Sequence, residues 1–177
     1  MEYEMGNQFA LDMEAARANS ACIFKGSKYR ISVLTERLIR LEYNEAGVFC
    51  DNPTQLVWNR KFEKPEFEVD ERGNTLIITT KYYKLTYIKE TPFIGNQVNK
   101  GGNLKIELLN TDKTWYYGHP EVRNMGGNMI SVDMGIPKPY DKGLYSLDGF
   151  CSIDDSKSKI LMEDGTLAEP PEGHTDI

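Results

Sequence analysis

The chain has 177 residues, of which 40% are hydrophobic and 11% aromatic, and 21 basic and 27 acidic residues give it a net charge of −6. This length and composition predict one globular domain with a hydrophobic core rather than a disordered chain. The basic residues form no cluster, which argues against the positively charged surface that nucleic-acid binding requires.

Cysteine and histidine usage argues against several other kinds of site. Cys22, Cys50 and Cys151 are odd in number and far apart, so we expect reduced thiols and neither a disulfide framework nor a zinc site. His119 and His174 are too few for a multi-histidine metal centre, and no motif indicates a cofactor. There is no signal-peptide pattern and no run of roughly 20 apolar residues that could span a membrane. We therefore predict a soluble, cytoplasmic protein.

The N-terminal part of the chain predicts one helix and then a pair of strands. Residues 8–20 are rich in Ala and Glu and predict a short helix. Residues 29–35 and 37–43 are rich in β-branched and aromatic side chains and predict strands. In the second strand, Arg40 and Glu42 share one face while apolar side chains occupy the other.

Strand patterns continue through the middle of the chain. Residues 67–70 and 75–88 flank a turn at 71–74, which predicts a hairpin followed by a further strand. Residues 103–109 alternate most regularly, with Leu104, Ile106 and Leu108 on the inner face. Trp115, Tyr116 and Tyr117 are interpreted as core aromatics, with a sugar-stacking face as the open alternative.

The character of the sequence changes after Gly118. Residues 118–143 hold five glycines and three prolines and predict a long loop, which in a compact domain is usually functional or disordered. Residues 144–165 then predict two short strands joined by a tight turn at 154–159. The pattern as a whole predicts a mainly β fold, a β-sandwich with a short N-terminal helix. We place the helical extension at 1–28, the sandwich at 29–167 and a Pro-rich linker at 168–177.

The paired acids Asp154 and Asp155 invite comparison with a glycosidase, whose two carboxyl groups flank one bond. Neighbours on a strand point to opposite faces, and Asp148 and Asp154 would lie roughly 20 Å apart. We therefore interpret Asp154 and Asp155 as turn residues. Ser146 and Ser152 lack the sequence context of an activated nucleophile, and no phosphate-binding loop follows the glycine pair at 126–127.

An ordered run of segments resembles the N-terminal domain of glycoside hydrolase family 31, the α-glucosidases and α-xylosidases. The segments are YRISVLTERLIRLEY, PTQLVWNRKF, TLIITTKYYKLTY, RNMGGNMISVDMG and GLYSLDGFCSIDDS, within residues 29–165. The last is similar to the family pattern G-L-[LI]-S-R-x-G-[WY]-x-x-x-D-D-S.

The resemblance implies a galactose-mutarotase-like β-sandwich packed on a catalytic (β/α)8 barrel. The family's catalytic aspartates lie in the barrel, in segments such as W-x-D-M-N-E that this sequence lacks, so the resemblance implies that the chain alone is inactive. It also implies that a loop over residues 124–135 presents Asp133 to an α-linked oligosaccharide or glycoside. The expected partners are that substrate and the protein's own C-terminal barrel. An independent carbohydrate-binding module is the alternative function, and a self-sufficient mutarotase is a third.

Overall fold

The computed structural model describes residues 12–126 and 142–177, and all statements below refer to these residues. The chain divides into two compact units: unit 1 comprises Met1–Glu66 and Asp154–Ile177, and unit 2 comprises Phe67–Ile153. β-strands, here numbered along the chain, are the main elements of both units, and the paired strands are antiparallel. The predicted mainly β fold class is confirmed.

Unit 1 is built on a four-stranded sheet. The predicted pair at 29–43 forms its centre, and the hydroxyl oxygen of Thr35 accepts hydrogen bonds from the amides of Arg37 and Leu38, which closes the turn between them. The strands follow the order β1 (Ile23–Lys25), β2 (Tyr29–Val33), β3 (Ile39–Tyr43) and β13 (Thr175–Asp176). The last strand of the chain thus completes a sheet that begins near residue 23.

Of the helix predicted over residues 8–20, residues 8–11 lie outside the described residues, and the rest is not one continuous helix. Met13–Ala16 forms a 3-10 turn, and a second 3-10 turn follows at Ser20–Cys22. Asp12 and Asn19 cap these turns by accepting hydrogen bonds from backbone amides. Side chains that bond the backbone locally compete with a continuous helix, which explains the break.

Unit 2 is built on a five-stranded sheet that agrees with the predicted strands. Its order is β10 (Thr114–Tyr116), β9 (Leu104–Leu108), β6 (Tyr83–Ile88), β5 (Thr75–Thr79) and β4 (Glu68–Arg72). A separate two-stranded ladder joins β7 (Gly95–Asn96) to β8 (Gly101–Gly102). Alternation along the strands places one apolar face inward, and its fully buried members are Leu76, Ile78, Leu85, Tyr87 and Leu104.

The hairpin predicted around a turn at 154–159 is not formed there, and a hairpin forms around the next turn along the chain. The turn at 154–159 exists, with the Ser158 amide bonded to the Asp155 carbonyl, but it does not join two paired strands. Instead β11 (Ile160–Leu161) pairs with β12 (Leu167–Ala168) across a turn at Met162–Gly165. A strand of two residues carries too little alternation to fix its partner from sequence.

Residues 168–177, which the sequence analysis assigns to a linker, contribute a strand to unit 1. The amide of Leu41 bonds to the Ile177 carbonyl and the amide of Ile177 bonds to the Leu41 carbonyl, at 2.8 and 3.0 Å. Short polar segments such as this one lack a local strand signal, and the pairing depends on contacts far away in the chain. The proposed domain boundaries stay predictions.

Two glycines of unit 2 allow a matched test of this packing. A Cβ at Gly95 would lie 1.6 Å from the Tyr117 carbonyl oxygen, whereas Gly73 has open space around it but a φ of +59°. We expect Gly73→Ala to cost about 1–2 kcal/mol through backbone strain alone. Gly95→Ala should cost more, about 3 kcal/mol, because backbone must move. Urea unfolding of the two variants measures this, and equal losses would contradict the close approach of Gly95 to the Tyr117 carbonyl.

Candidate functional site

Both faces of the central strand pair of unit 1 are buried, including the polar one. Arg30 lies opposite Glu42 in the register of β2 and β3, and Ser32 lies opposite Arg40. All four side chains are buried, and Glu42 has no exposed surface. Charged groups this deep in a protein require partners, so the polar face must carry a network of ion pairs.

Glu42 is the centre of that network. Arg30 donates to both of its carboxylate oxygens, from Nε to Oε2 at 2.6 Å and from Nη2 to Oε1 at 2.8 Å. Arg40 Nη2 lies 3.1 Å from Oε1. Arg30 also donates from Nη1 to Oδ1 of Asp51 at 2.6 Å. The two-pronged bond from Arg30 is the strong, geometrically specific form of such a pair.

The last strand enters the network through Asp176. Arg40 donates from Nε to Oδ1 at 2.9 Å and from Nη2 to Oδ2 at 2.6 Å, although 136 residues separate the two along the chain. The side chain of His174 is buried, with Nε2 3.4 Å from Oε1 of Glu42 but without hydrogen-bond geometry. The polar face of the sheet is therefore covered by the end of the chain.

Burial and ion pairing act in opposite directions on the pKa values of this network. Burial alone would raise the pKa of Glu42, but the neighbouring His174 and the guanidinium groups of Arg30 and Arg40 lower it overall. Burial would likewise lower the pKa of Arg40, but its hydrogen bonds to Asp176 and the nearby carboxylates raise it. Glu42 and Arg40 are therefore held in their charged forms at neutral pH.

Glu42, His174 and Asp176 also bring three potential metal ligands within 4.8 Å of one another. The carboxylate oxygens already accept hydrogen bonds from Arg30 and Arg40. A divalent cation at this place would face two fixed positive charges at close range. We therefore assign the cluster to ion pairing and not to a metal.

The interpretation of Asp155 as a turn residue is wrong for its side chain. Asp154 does act in the turn, where Oδ1 accepts from the amide of Ser156 at 3.1 Å. The carboxylate of Asp155 is buried instead and accepts from the Thr54 hydroxyl at 2.8 Å and from Arg60 Nη2 at 3.3 Å. It binds the segment that contains Thr54 and Arg60 to the start of the C-terminal segment of unit 1.

A second candidate site lies in unit 2, where the two ends of the predicted loop meet. Oδ1 of Asn124 accepts from the amides of Gly126 and Gly143 at 2.9 and 2.8 Å, and its Nδ2 donates to the Gly143 carbonyl. Asn124 also forms a β-bridge with Ser146. We call residues 121–126 and 142–147 the stem. It holds the backbone of Gly126 close to that of Gly143.

Charged side chains support the stem. The carboxylate of Asp148 lies 3.3 Å from Arg123 Nη1 and 3.9 Å from Lys113 Nζ. Glu121 is buried with a left-handed φ of +49°, and Ser152 donates its hydroxyl hydrogen bond to Oε1. The other oxygen, Oε2, has no hydrogen-bond partner within the described part of the chain. A strained residue with an unsatisfied buried carboxylate oxygen is unusual, which makes the stem a candidate functional region.

The aromatic cluster at 115–117 and His119 pack against other side chains of unit 2. Trp115 and Tyr116 are buried, which agrees with their interpretation as core residues, and Tyr117 is half-buried. His119 packs between the rings of Tyr116 and Phe150, and its Nδ1 accepts from the Glu121 amide at 3.0 Å. Burial lowers the pKa of His119. None of these rings forms an open sugar-stacking face in the described structure.

Asp133, the substrate-binding residue predicted from the resemblance, lies outside the described residues. The sequence analysis also missed the network around Glu42. A signal was present, because Arg30, Arg40 and Glu42 alternate with apolar residues on two strands whose other face is strongly apolar. It could not reveal that Asp176, far away in the chain, completes the network.

No protein-family model matches this chain, and no curated protein matches it either. The resemblance to glycoside hydrolase family 31 therefore stays a hypothesis.

The helices described in the structure include none long and apolar enough to cross a membrane. The three cysteines are free thiols, as predicted.

Asp155 and Asp154 form a matched pair for testing the buried network. Asp155→Asn leaves the Arg60 guanidinium buried without its counter-charge and should destabilise the chain by about 3 kcal/mol. Asp154→Asn changes an exposed turn residue and should stay within about 0.5 kcal/mol. Chemical denaturation measures both. If Asp155→Asn lowered the free energy of unfolding no more than Asp154→Asn does, the Asp155 carboxylate would not contribute to stability.

The lowered pKa of Glu42 predicts a loss of stability in acid. A depressed folded-state pKa means that the stabilisation is present above the ordinary value of about 4.3 and is lost as pH falls through the folded-state value. Glu42→Gln should destabilise the chain by about 3–5 kcal/mol at pH 7. Below pH 4 the variant should lose less additional stability than the wild type, because it has no carboxylate to protonate at this position. Exposed Glu45→Gln is the control, and identical acid profiles for the wild type and Glu42→Gln would refute the assignment.

Proposed function

We propose that this chain is the non-catalytic N-terminal β-sandwich domain of a retaining α-glycosidase of the α-glucosidase type. In this proposal the sandwich is of the galactose-mutarotase-like kind. The domain supports a catalytic (β/α)8 barrel and lends the loop that carries Asp133 to the substrate pocket. It acts on α-linked glycosides only together with that barrel.

One observation carries the proposal: the segments that resemble the family form long-range polar contacts with one another. Thr54 and Arg60, in PTQLVWNRKF, both bind Asp155, in GLYSLDGFCSIDDS. Asn124, in RNMGGNMISVDMG, binds Gly143 at the edge of the same later segment. If a likeness reflects a shared fold, it should concentrate on residues that hold that fold together, as it does here.

The stem supports a role in presenting the loop. Because Asn124 binds both Gly126 and Gly143, the loop that carries Asp133 would extend from a fixed base. A carboxylate there suits sugar binding, since it can accept hydrogen bonds from two hydroxyl groups.

Exposed apolar side chains on the stem support contact with a further domain. Tyr145 is 80% exposed and Met125 64% exposed, and they share one face because they flank the bridge between Asn124 and Ser146. Nearby, Val122, Leu144 and Leu147 are also largely exposed. Clusters of this kind on an otherwise soluble domain usually mark an interaction site.

The proposal is tested first by the coding sequence after Ile177, which should encode a barrel with a W-x-D-M-N-E-like segment. The protein with that barrel should hydrolyse 4-nitrophenyl α-glycosides, and the 177-residue chain should not. Oligosaccharide binding by the 177-residue chain alone would favour a carbohydrate-binding module instead. Anomer interconversion by it would favour a mutarotase, and either result would overturn the proposal.

Asp133 provides the test of the loop. In the protein with its barrel, Asp133→Asn removes charge-assisted hydrogen bonds worth roughly 1.5–3 kcal/mol, so kcat/KM should fall by about 10- to 150-fold. The melting temperature should not change. Asp154→Asn is the matched control, because it alters an exposed turn acid. Wild-type kcat/KM in the Asp133 variant would leave the domain with a supporting role only.

A further inference from the structure

Glu121, at the start of the stem, combines a strained backbone with a buried side chain. Its φ is +49°, in the left-handed region that residues other than glycine rarely adopt, and its side chain has no exposed surface. The Glu121 amide donates to Nδ1 of His119 at 3.0 Å, and its carbonyl accepts from the Asn124 amide at 2.9 Å. Neighbours on both sides in the sequence therefore hold Glu121 in this conformation.

The carboxylate of Glu121 has fewer partners than its burial requires. Oε1 accepts the hydrogen bond of the Ser152 hydroxyl, and Nζ of Lys142 lies 3.8 Å from the same oxygen. Oε2 is buried and has no hydrogen-bond partner in the described part of the chain. A buried polar atom without a partner destabilises a fold, and a carboxylate can accept several hydrogen bonds. Glu121 therefore retains the capacity to accept further donors.

A comparison with Glu42, the buried glutamate of unit 1, shows what Glu121 lacks. Glu42 faces the guanidinium groups of Arg30 and Arg40, whose side chains are 8% and 7% exposed. Within the described residues, the one cation at ion-pair distance from Glu121 is Lys142, whose side chain is 52% exposed. Water weakens the attraction of so exposed a partner. The charge of the Glu121 carboxylate is therefore compensated less than that of Glu42.

The other charged and titratable groups around Glu121 do not supply the missing positive charge. Asp148 already engages Arg123 at 3.3 Å and Lys113 at 3.9 Å. Burial lowers the pKa of His119, which favours its neutral form. Burial also raises the pKa of the Cys151 thiol, which keeps that group uncharged.

This arrangement suits a cation that donates hydrogen bonds better than a metal ion. The oxygen atoms of the Glu121 carboxylate and the Ser152 hydroxyl are three, whereas Ca²⁺ takes about six to eight oxygen ligands. An ammonium group needs few acceptors and bonds strongly to a carboxylate. Lys142 indicates the route of access, because its half-exposed side chain brings an ammonium group from the surface to within 3.8 Å of Oε1.

We propose that the Glu121 carboxylate is the acceptor of a binding site for a small ligand that carries a primary ammonium group. Ser152 holds the carboxylate in place through its hydroxyl. Lys142 is a weak internal substitute for the ligand, and its ammonium group moves into solvent when the ligand donates to Glu121. This inference does not depend on the proposed glycosidase function.

Titration of the 177-residue chain with methylammonium chloride at pH 7, followed by amide NMR signals, tests the site. The signals of Glu121 and Ser152 should shift and saturate, with half-saturation at about 10 mM, near the limit for a ligand of two heavy atoms. Tetramethylammonium has the same charge but no N–H donor, so at equal ionic strength it should cause no saturable shift. Equal shifts with both salts, or no saturation with methylammonium, would overturn the proposal.

Three variants assign the binding to Glu121. Glu121→Gln removes the charge and should abolish the saturable shift at Ser152. Lys142→Gln removes the internal competitor and should lower the dissociation constant about fivefold, which corresponds to about 1 kcal/mol. Glu45→Gln changes an exposed acid of unit 1 and should bind like the wild type. Wild-type binding by Glu121→Gln, or weaker binding by Lys142→Gln, would contradict the site.

Urea unfolding separates a binding role from a structural one. Because Oε2 makes no hydrogen bond and the carboxylate lacks a buried counter-charge, Glu121→Gln should unfold at the urea concentration of the wild type or above it. Glu42→Gln, which breaks a buried ion pair, should unfold at a lower concentration. A midpoint lowered as far in Glu121→Gln as in Glu42→Gln would make Glu121 a structural residue and overturn the proposal.

Discussion

The guanidinium group of Arg40 binds two carboxylates at once. One is Asp176, in the last strand of the chain, and the other is Glu42, in the centre of the sheet of unit 1. Removing these charges from water is costly, and only mutual pairing offsets the cost. The polar face of β2 and β3 can therefore be buried only when Asp176 is in place. The cooperativity of unit 1 depends on this constraint, because its N-terminal strands and its C-terminal residues complete one network.

A second polar network gives unit 2 its stem. Asn124 joins the backbone of Gly126 to that of Gly143, and Asp148 forms an ion pair with Arg123. Both networks include directional bonds between residues that are remote in sequence. Neither brings two carboxylates to the two sides of a common substrate space.

Sequence patterns predicted the longer strands of both main sheets because their signal is local, but they missed β1 and β13. Alternation over four or more residues, as at Leu104–Leu108, determines both the element and its inward face. The prediction failed where a strand has two residues, as at Ile160–Leu161, and where local capping by Asp12 interrupts a helical composition.

The candidate site was predictable only in part. The turn role of Asp154 follows from its residue type, whereas the buried role of Asp155 depends on Arg60 and Thr54, which no local pattern connects to it.

The sequence by itself determined the mainly β character, the positions of the long strands and the free thiols, because these depend on composition and on spacing within a few residues. Only the tertiary structure decided which charges are buried and with which partners. The pairing of Arg40 with Asp176 spans 136 residues, and nothing in either segment encodes the other. The energy of a charged group depends on its surroundings in space, and those surroundings exist only after the chain has folded.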